Sequence, residues 1–510
     1  MASGESKTFL VANERILILL LCVAAVIRVF IFSAAFPFFS NVDEDLHFDL
    51  ITQYSHGDVP RSFDRLKAET LNWIVPYASP EFLSPPERFP GGKFPAPLWK
   101  QSWSKVEPEI SVTRVAWSSE INFESSQPPL YYALTGVWWR IGKQIGLDGI
   151  QSLYWIRFLN AALMAIVVWL GYLAARTIAP ERLDLRIGVP LLLAFIPQNV
   201  FYAMNNDVLS PLCFGVLFLC VLQWLRTDAP SLSLGTITGA AIASTYLTKL
   251  SNLPLIVIAV VVILVRFVPI VRRSPRAGLI ALAALLLCAA VPICSWMVWL
   301  KLQFGDVTGS TAKIAFLDWT PKPFVQWWQH PIFSGHGLWI FWSDLIASFW
   351  RGEVEWHGKG FDWRIADRLY AISSLVFIAA AVLGLRKPFG LSGFQRKAIA
   401  VAILTFAAGT AFLGFLSIQF DFGSCVNPSR SHPYFTSGRL LSGAMIPFAL
   451  SYVYGVCCLC RLATSKFRET RWVDTASPLI VLGAIVVFSQ ASEISVTHPV
   501  FASEHNWFHR

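Results

Sequence analysis

Apolar runs with at most one charged residue recur along this chain from about residue 16 to residue 490. Most approach the roughly 20 residues that an α-helix needs to cross a bilayer. A soluble core cannot absorb so many, because each would have to be enclosed on every side by other protein. They read as eleven spans, at approximately 16–36, 152–175, 187–204, 208–225, 234–248, 252–268, 278–300, 369–385, 398–417, 440–460 and 476–490. The expected fold class is an all-α polytopic membrane protein. Composition agrees: 55% of the 510 residues are hydrophobic and 14% charged, against about 25% charged in soluble domains. A soluble enzyme, a disordered chain, a fibre and a disulfide scaffold are thereby excluded.

The net charge of +9 does not mark a nucleic-acid partner, because its arrangement is topological. Lys and Arg fall in short clusters between apolar runs, at Arg176/Arg182/Arg186, Arg266/Arg272/Arg273/Arg276, Arg386/Lys387/Arg396/Lys397 and Arg461/Lys466/Arg468/Arg471. Clusters of this kind face the cytoplasm in most membrane proteins. Of nine cysteines only Cys425 falls clearly in an outer loop, so no outward disulfide is expected. Cys457, Cys458 and Cys460 lie at an inner helix end, where packing or acylation explains them; without a partner cluster they do not suggest zinc.

The first apolar run follows Lys7 and Arg15 and is long for a signal-peptide core, so it reads as an uncleaved helix with its N-terminus inside. Residues 37–127 form a long outer loop, in which Phe63, Leu66, Leu71 and Ile74 approximate the stripe of an interfacial helix. The segment from Gln127 to Gly146 could cross or lie against the membrane. Only the second choice puts every basic cluster on one side, and it places the C-terminus and all nine histidines outside. A second outer loop covers about 301–368, where Trp342, Leu345, Ile346, Phe349 and Trp350 repeat as an amphipathic face, expected to rest on the headgroup boundary. The organisation is thus a transmembrane module at 1–300 that includes the first loop, a large loop at 301–368, and C-terminal helices at 369–510. No soluble domain or internal repeat is evident.

Three groups of residues could carry chemistry. Asp43-Glu44-Asp45-Leu46-His47 directly follows the first span. Carboxylates beside an apolar helix are partly desolvated, which makes them better proton acceptors, and on a helix His47 would share a face with Asp43 and Glu44. This string reads either as a general base with a divalent-ion site or as a solvated acidic helix cap. Asn205-Asn206-Asp207 reads as a site or as a tight turn with an N-cap. Arg157, Lys249 and Arg439 stand at outer helix ends, where a cation can snorkel to lipid phosphate or, beside outer acids, line a cavity for an anionic headgroup.

These motifs occur in one order and on one side. An acidic pair after the first span, Gln127-Pro128-Pro129-Leu130-Tyr131-Tyr132 closing the first loop, an Asn-Asn-Asp turn and a late Gly438-Arg439-Leu440 helix start together resemble the GT-C superfamily of polyprenyl-phosphate-sugar-dependent glycosyltransferases. The likeness runs from about residue 15 to 460 and is nearest the DUF2142 branch, beside the GT39-like protein mannosyltransferases and the aminoarabinose transferases. Ser348-Phe349-Trp350 before Gly352 also resembles a loop motif of that branch. The resemblance implies a GT-C fold of about 11 transmembrane helices, with interfacial helices in both long loops. It implies Asp43 as general base with Glu44 beside it, Asp207 as the second acid near the acceptor, and Arg439 on the lipid phosphate. Lys249 and Arg157 are weaker matches, and His47, Gln127 and Tyr132 complete the expected substrate contacts. No cofactor is required, although Asp43-x-Asp45 resembles a metal-binding pair and leaves a divalent metal open.

The reading that follows is transfer of a sugar from a polyprenyl-phosphate donor to a glycan, lipid or protein acceptor on the outer face, by one inverting displacement. A transporter or flippase of a lipid-linked saccharide is the alternative; inverted repeats and mid-membrane ionisable residues would favour it. A catalytically inactive envelope subunit is a third reading, against which the intact acidic pair speaks. No Asn-x-Ser/Thr with x other than Pro occurs, which points to a bacterial inner membrane, N-terminus cytoplasmic and active site periplasmic or extracellular.

Overall fold

The computed structural model describes residues 2–40, 42–386, 390–464 and 471–509. Its helices are α1 (Ala2–Ala35), α2 (Glu44–His56), α3 (Ala68–Tyr77), α4 (Trp103–Trp117), α5 (Leu130–Gln144), α6 (Ile150–Ile178), α7 (Leu183–Ala194), α8 (Ser210–Arg226) and α9 (Leu232–Thr248). They continue as α10 (Leu253–Arg273), α11 (Pro275–Phe304), α12 (Ser310–Phe316), α13 (Phe324–Trp327), α14 (Gly335–Arg351), α15 (Arg364–Gly384), α16 (Gly393–Gln419), α17 (Met445–Ala463) and α18 (Arg471–Phe501). Among the described residues strand is confined to two-residue pieces, Thr320–Pro321 against Phe420–Asp421 and Glu355–Trp356 against Lys359–Gly360.

Nine helical segments among the described residues are long and apolar enough to cross a membrane. The remaining two expected spans are helical but short, α7 with 12 residues and α9 with 17. Pro197 accounts for the first, since the residue before a proline avoids the helical region. The chain then runs without α-helix from Phe195 to Leu209. Irregular backbone at membrane depth needs its polar groups satisfied by protein, and side chains of neighbouring helices do so. Arg28 Nε donates to the Ala194 carbonyl (3.1 Å), Gln490 Nε2 to that of Phe195 (2.8 Å), and Asn160 Nδ2 to those of Phe201 and Ala203 (3.0 and 2.8 Å).

The helix pair α9 and α11 packs with backbones nearly touching. A Cβ at Gly235 or Gly239 would meet the Ala281 or Leu285 carbonyl oxygen at 2.1 or 2.3 Å, which is how small residues bring helices together where lipid offers no hydrophobic drive. α17 is the central helix, and the segment Gly438–Ala463 is the most buried of the nine.

Both long loops lie at one end of the bundle. The chain after α18 returns there: Ser503 donates to Glu81, Lys100 to the His509 carbonyl, and His505 Nε2 lies 3.2 Å from the Pro95 oxygen. The opposite end carries Arg186 paired with Glu14 (3.1 Å), Arg182 and Arg461 around Asp184, and Arg266 with Arg273 around Asp228. Lys387, Lys466 and Arg468 lie outside the described residues. These ends are the loop face and the basic face below. Cys457 and Cys458 are buried in helix packing near the basic face.

The expected placement of Gln127–Gly146 against the membrane agrees with the length of its helix, while the two loop helices need correction. α5 has 15 residues, about 22 Å of helix against a hydrocarbon core of about 30 Å, so Gln127–Gly146 does not cross and packs on α2 instead. In the first loop the helix starts at Ala68, leaving Phe63 and Leu66 in extended chain. The second loop contains the expected helix, α14, but its apolar stripe is turned to protein. Leu345, Ile346, Phe349 and Trp350 are buried, and the Trp350 ring stacks on Tyr370 of α15 at 4.8 Å. An apolar stripe states that one face is covered; here the cover is α15 and α17 rather than lipid.

Candidate functional site

On the loop face a cavity of about 790 Å³ opens between both long loops, α14, the start of α15 and the segment that enters α17. Asp43, Glu124, Gln127, Lys249, Glu353 and Arg439 are among its walls.

Asp43 is the N-cap of α2, yet its side chain does not cap the helix, and its backbone is left-handed (φ 61°). Strain of this kind persists where the surroundings fix it. Here the carboxylate is taken by Arg439, whose Nη2 lies 2.7 Å from Oδ2 while Nη1 reaches the Val42 carbonyl at 3.2 Å. Arg439 is the second residue of the turn Gly438–Ala444 ahead of α17. Gly438 is required there, since a Cβ would fall 2.0 Å from the Phe349 nitrogen. The same guanidinium approaches Glu353 at 3.5 Å and Asp207 at 3.9 Å.

Asp207 stands in a single 3₁₀ turn, Asn206–Leu209, whose N-cap is Asn205: the Asn205 side chain accepts from the Asp207 amide at 2.9 Å. The turn and the charge thus coexist at this motif. Asp207 is fully buried and pairs with Lys249 Nζ at 2.6 Å, while its Oδ1 has no partner among the described residues. The core of the site is a line of alternating charge, Asp43–Arg439–Asp207–Lys249, with Glu353 alongside.

Glu353 and Glu124 escaped the sequence reading. Glu353 follows Gly352 in the noted loop motif; it accepts from Ser437 Oγ at 2.9 Å. Burial pushes its carboxyl up, and Arg439 and Ser437 only partly offset that. Glu124 sits three residues before Gln127, whose Nε2 donates to it at 2.6 Å, and it pairs with Lys313 of α12 at 2.5 Å. Burial opposes its ionisation, but Lys313 foremost, then His47 and Lys249, hold it well below the ordinary range. Their one sequence signal was position in long loops beside recognised motifs.

Glu44 and Arg157 lie apart from the cavity. Glu44 is completely buried and accepts four hydrogen bonds: from Arg157 Nε and Nη2 (both 2.7 Å), the Met204 amide (2.9 Å) and the Ser40 amide (3.0 Å). Arg157 also holds the Phe36 and Pro37 carbonyls at 2.5 and 2.6 Å. The pair fastens the end of α1 to α6, and Glu44 has no lone pair aimed at a substrate. His47 and Tyr132 are buried behind the cavity, Nδ1 to hydroxyl 2.8 Å. Burial pushes His47 down to about 3, so it is a neutral packing group at physiological pH. Gln127 lines the cavity and accepts from Asn206 at 3.3 Å.

A divalent metal at Asp43 and Asp45 does not fit these residues. Asp43 is occupied by a guanidinium, and among the described residues no three His, Cys, Asp or Glu are arranged around a common point. Burial foremost, then Glu120 and Asp43, push Asp45 up to about 8.

A family model described as predicted membrane protein (DUF2142) matches residues 26–326, more than half of the chain. The chain belongs to the DUF2142 family. No curated protein sequence matches it. Among solved structures it is similar to ArnT from Cupriavidus metallidurans bound to undecaprenyl phosphate, at 13% identity and a TM-score of 0.43, covering 96% of this chain and 77% of that one. It is also similar to the oligosaccharyltransferase AglB from Archaeoglobus fulgidus in complex with an inhibitory peptide and a dolichol-phosphate. There the identity is 11% and the TM-score 0.38, over 94% of this chain. The chain spans 56% of the AglB chain.

Proposed function

We propose that this DUF2142 protein is a membrane glycosyltransferase of GT-C type that moves a sugar from a polyprenyl phosphate to an acceptor at the loop face. The observation that carries the reading is the charge line Asp43–Arg439–Asp207–Lys249, of which Asp43, Arg439 and Lys249 line a cavity at the ends of membrane-spanning helices. A lipid-linked donor needs a polar chamber that touches the bilayer, and a helical bundle topped by two long loops supplies one.

In the proposed step Asp43 takes the proton of an acceptor hydroxyl. The acceptor oxygen bonds the anomeric carbon as the bond from that carbon to the phosphate oxygen breaks. The electron pair remains on the lipid phosphate, and the anomeric configuration inverts. Asp43 suits the base role because only Oδ2 is engaged by Arg439. Arg439 and Lys249 offer positive charge to the leaving phosphate, an arrangement most effective in a site of low dielectric. Glu353 is the second carboxyl that could receive the proton, since burial raises its affinity for one. The acceptor is a glycan, lipid or protein. The loop face is periplasmic or extracellular in this reading, with the basic face in the cytoplasm of a bacterial inner membrane.

The test is transfer from a panel of radiolabelled polyprenyl-phosphate sugars in proteoliposomes supplied with host-envelope acceptors. Asp43→Asn should lower transfer by about 10²–10⁴-fold, the usual worth of a general base, with donor binding retained. Movement of the lipid-sugar across the bilayer, without transfer and unaltered in the variant, would establish a flippase instead.

A further inference from the structure

Six cations line the cavity: Lys249, Lys313, Arg351, Arg364, Arg368 and Arg439. Four are already matched by carboxylates. Lys249 holds Asp207, Lys313 holds Glu124, Arg439 holds Asp43 with Glu353, and Arg351 holds Asp367 at 2.8 Å. Arg364 and Arg368 are exposed and, among the described residues, make neither an ion pair nor a side-chain hydrogen bond. They are four apart in α15 and so share one face of the helix. Arg364 is also its first residue, where the helix dipole disfavours positive charge. Local stability gives no reason for an arginine there.

We infer that Arg364 and Arg368 form an anion subsite of the cavity, which takes a phosphate-class group of the substrate. The inference rests on the glycosyltransferase reading for what the anion is, and on the geometry alone for where it binds. Arg439 and Lys249 share their charge with carboxylates already in place, whereas Arg364 and Arg368 add positive charge that no ion pair has taken up. Two guanidinium groups present planar, forked donors suited to phosphate oxygens. The group is either the lipid phosphate of the donor or an acidic group on the acceptor, and both carry the same recognition chemistry.

The experiment measures binding to the full-length protein in detergent, using undecaprenyl phosphate, phosphatidylglycerol and inorganic pyrophosphate as probes. Wild type is compared with the R364Q/R368Q double variant and with Lys359→Gln, which removes an exposed cation outside this cavity. The expected result is undecaprenyl phosphate or pyrophosphate bound about tenfold or more weakly by the double variant, with phosphatidylglycerol and the Lys359 variant unaffected. Loss confined to undecaprenyl phosphate assigns the donor phosphate; loss confined to pyrophosphate assigns an acidic acceptor. Equal loss for phosphatidylglycerol would mean general contact with the leaflet and would overturn the subsite, as would unchanged binding of every probe. Because no transfer is measured, a subsite confirmed in a protein that transfers no sugar would stand while the glycosyltransferase reading fell.

Discussion

Arg439 Nη2 lies 2.7 Å from Asp43 Oδ2, although 396 residues separate them in the chain. The contact closes the cavity from both ends of the sequence. It also makes Arg439 a neighbour of three carboxylates at once, Asp43, Glu353 and Asp207. Arg439→Gln should therefore do more than remove one charge. We expect transfer to fall by at least about 10²-fold, the range found when an electrostatic donor is removed from an active site. Arg439→Lys should restore part of it. Single-turnover transfer of both variants, with folding checked by size exclusion, provides the comparison.

Glu44 should behave differently from its neighbour. Removing one partner of a buried ion pair leaves an uncompensated charge and costs about 3–5 kcal/mol. Glu44→Gln would strand Arg157, whose side chain is fully buried. The expected phenotype is lost yield and a lowered melting temperature with the empty protein, whereas Asp43→Asn should melt close to wild type. Equal melting temperatures for the two variants would contradict the separation of roles.

His47 predicts an acid-sensitive stability. Its folded pKa, about 3, lies below the usual 6.5, so the folded state resists protonation. Stability from this group is complete above the unfolded value and is lost as pH falls from about 6.5 towards 3. His47→Gln can still bond the Tyr132 hydroxyl and should flatten that decline. Melting curves in detergent at pH 7 and pH 5 measure the difference.

Asp45 predicts the opposite slope. Its folded pKa, raised to about 8 from 3.8, means that the folded state holds a proton the unfolded chain has released. A destabilising contribution therefore grows as pH rises from about 4 and levels off above about 8. Asp45→Asn should raise the melting temperature more at pH 8 than at pH 5, a trend readable in the same assay.

The spans were legible because an apolar run declares its destination whatever it packs against. What it packs against was not: α14 carries the same stripe whether lipid or α15 covers it. At the site, residue type and order brought out Asp43, Asp207, Lys249 and Arg439, since charges at helix ends are conspicuous in a chain with so few. Distance was hidden. Glu44 gave no sign of Arg157, 113 residues on, nor Glu124 of Lys313, 189 residues on. Both pairs join segments that only the folded bundle brings together. Glu353 was hidden for another reason: beside Gly352 and Glu355 it reads as ordinary loop polarity.

The line of alternating charge has a consequence for biogenesis. Asp207 and Lys249 belong to one helical hairpin and can enter the bilayer already neutralised. Asp43 and Glu353 are made long before α17 brings Arg439 to them. Until that helix is inserted, the nascent protein carries an acidic niche with its counter-ion still to be synthesised. A chain stopped short of α17 would display that niche, an electrostatic mark by which an incomplete molecule differs from a finished one.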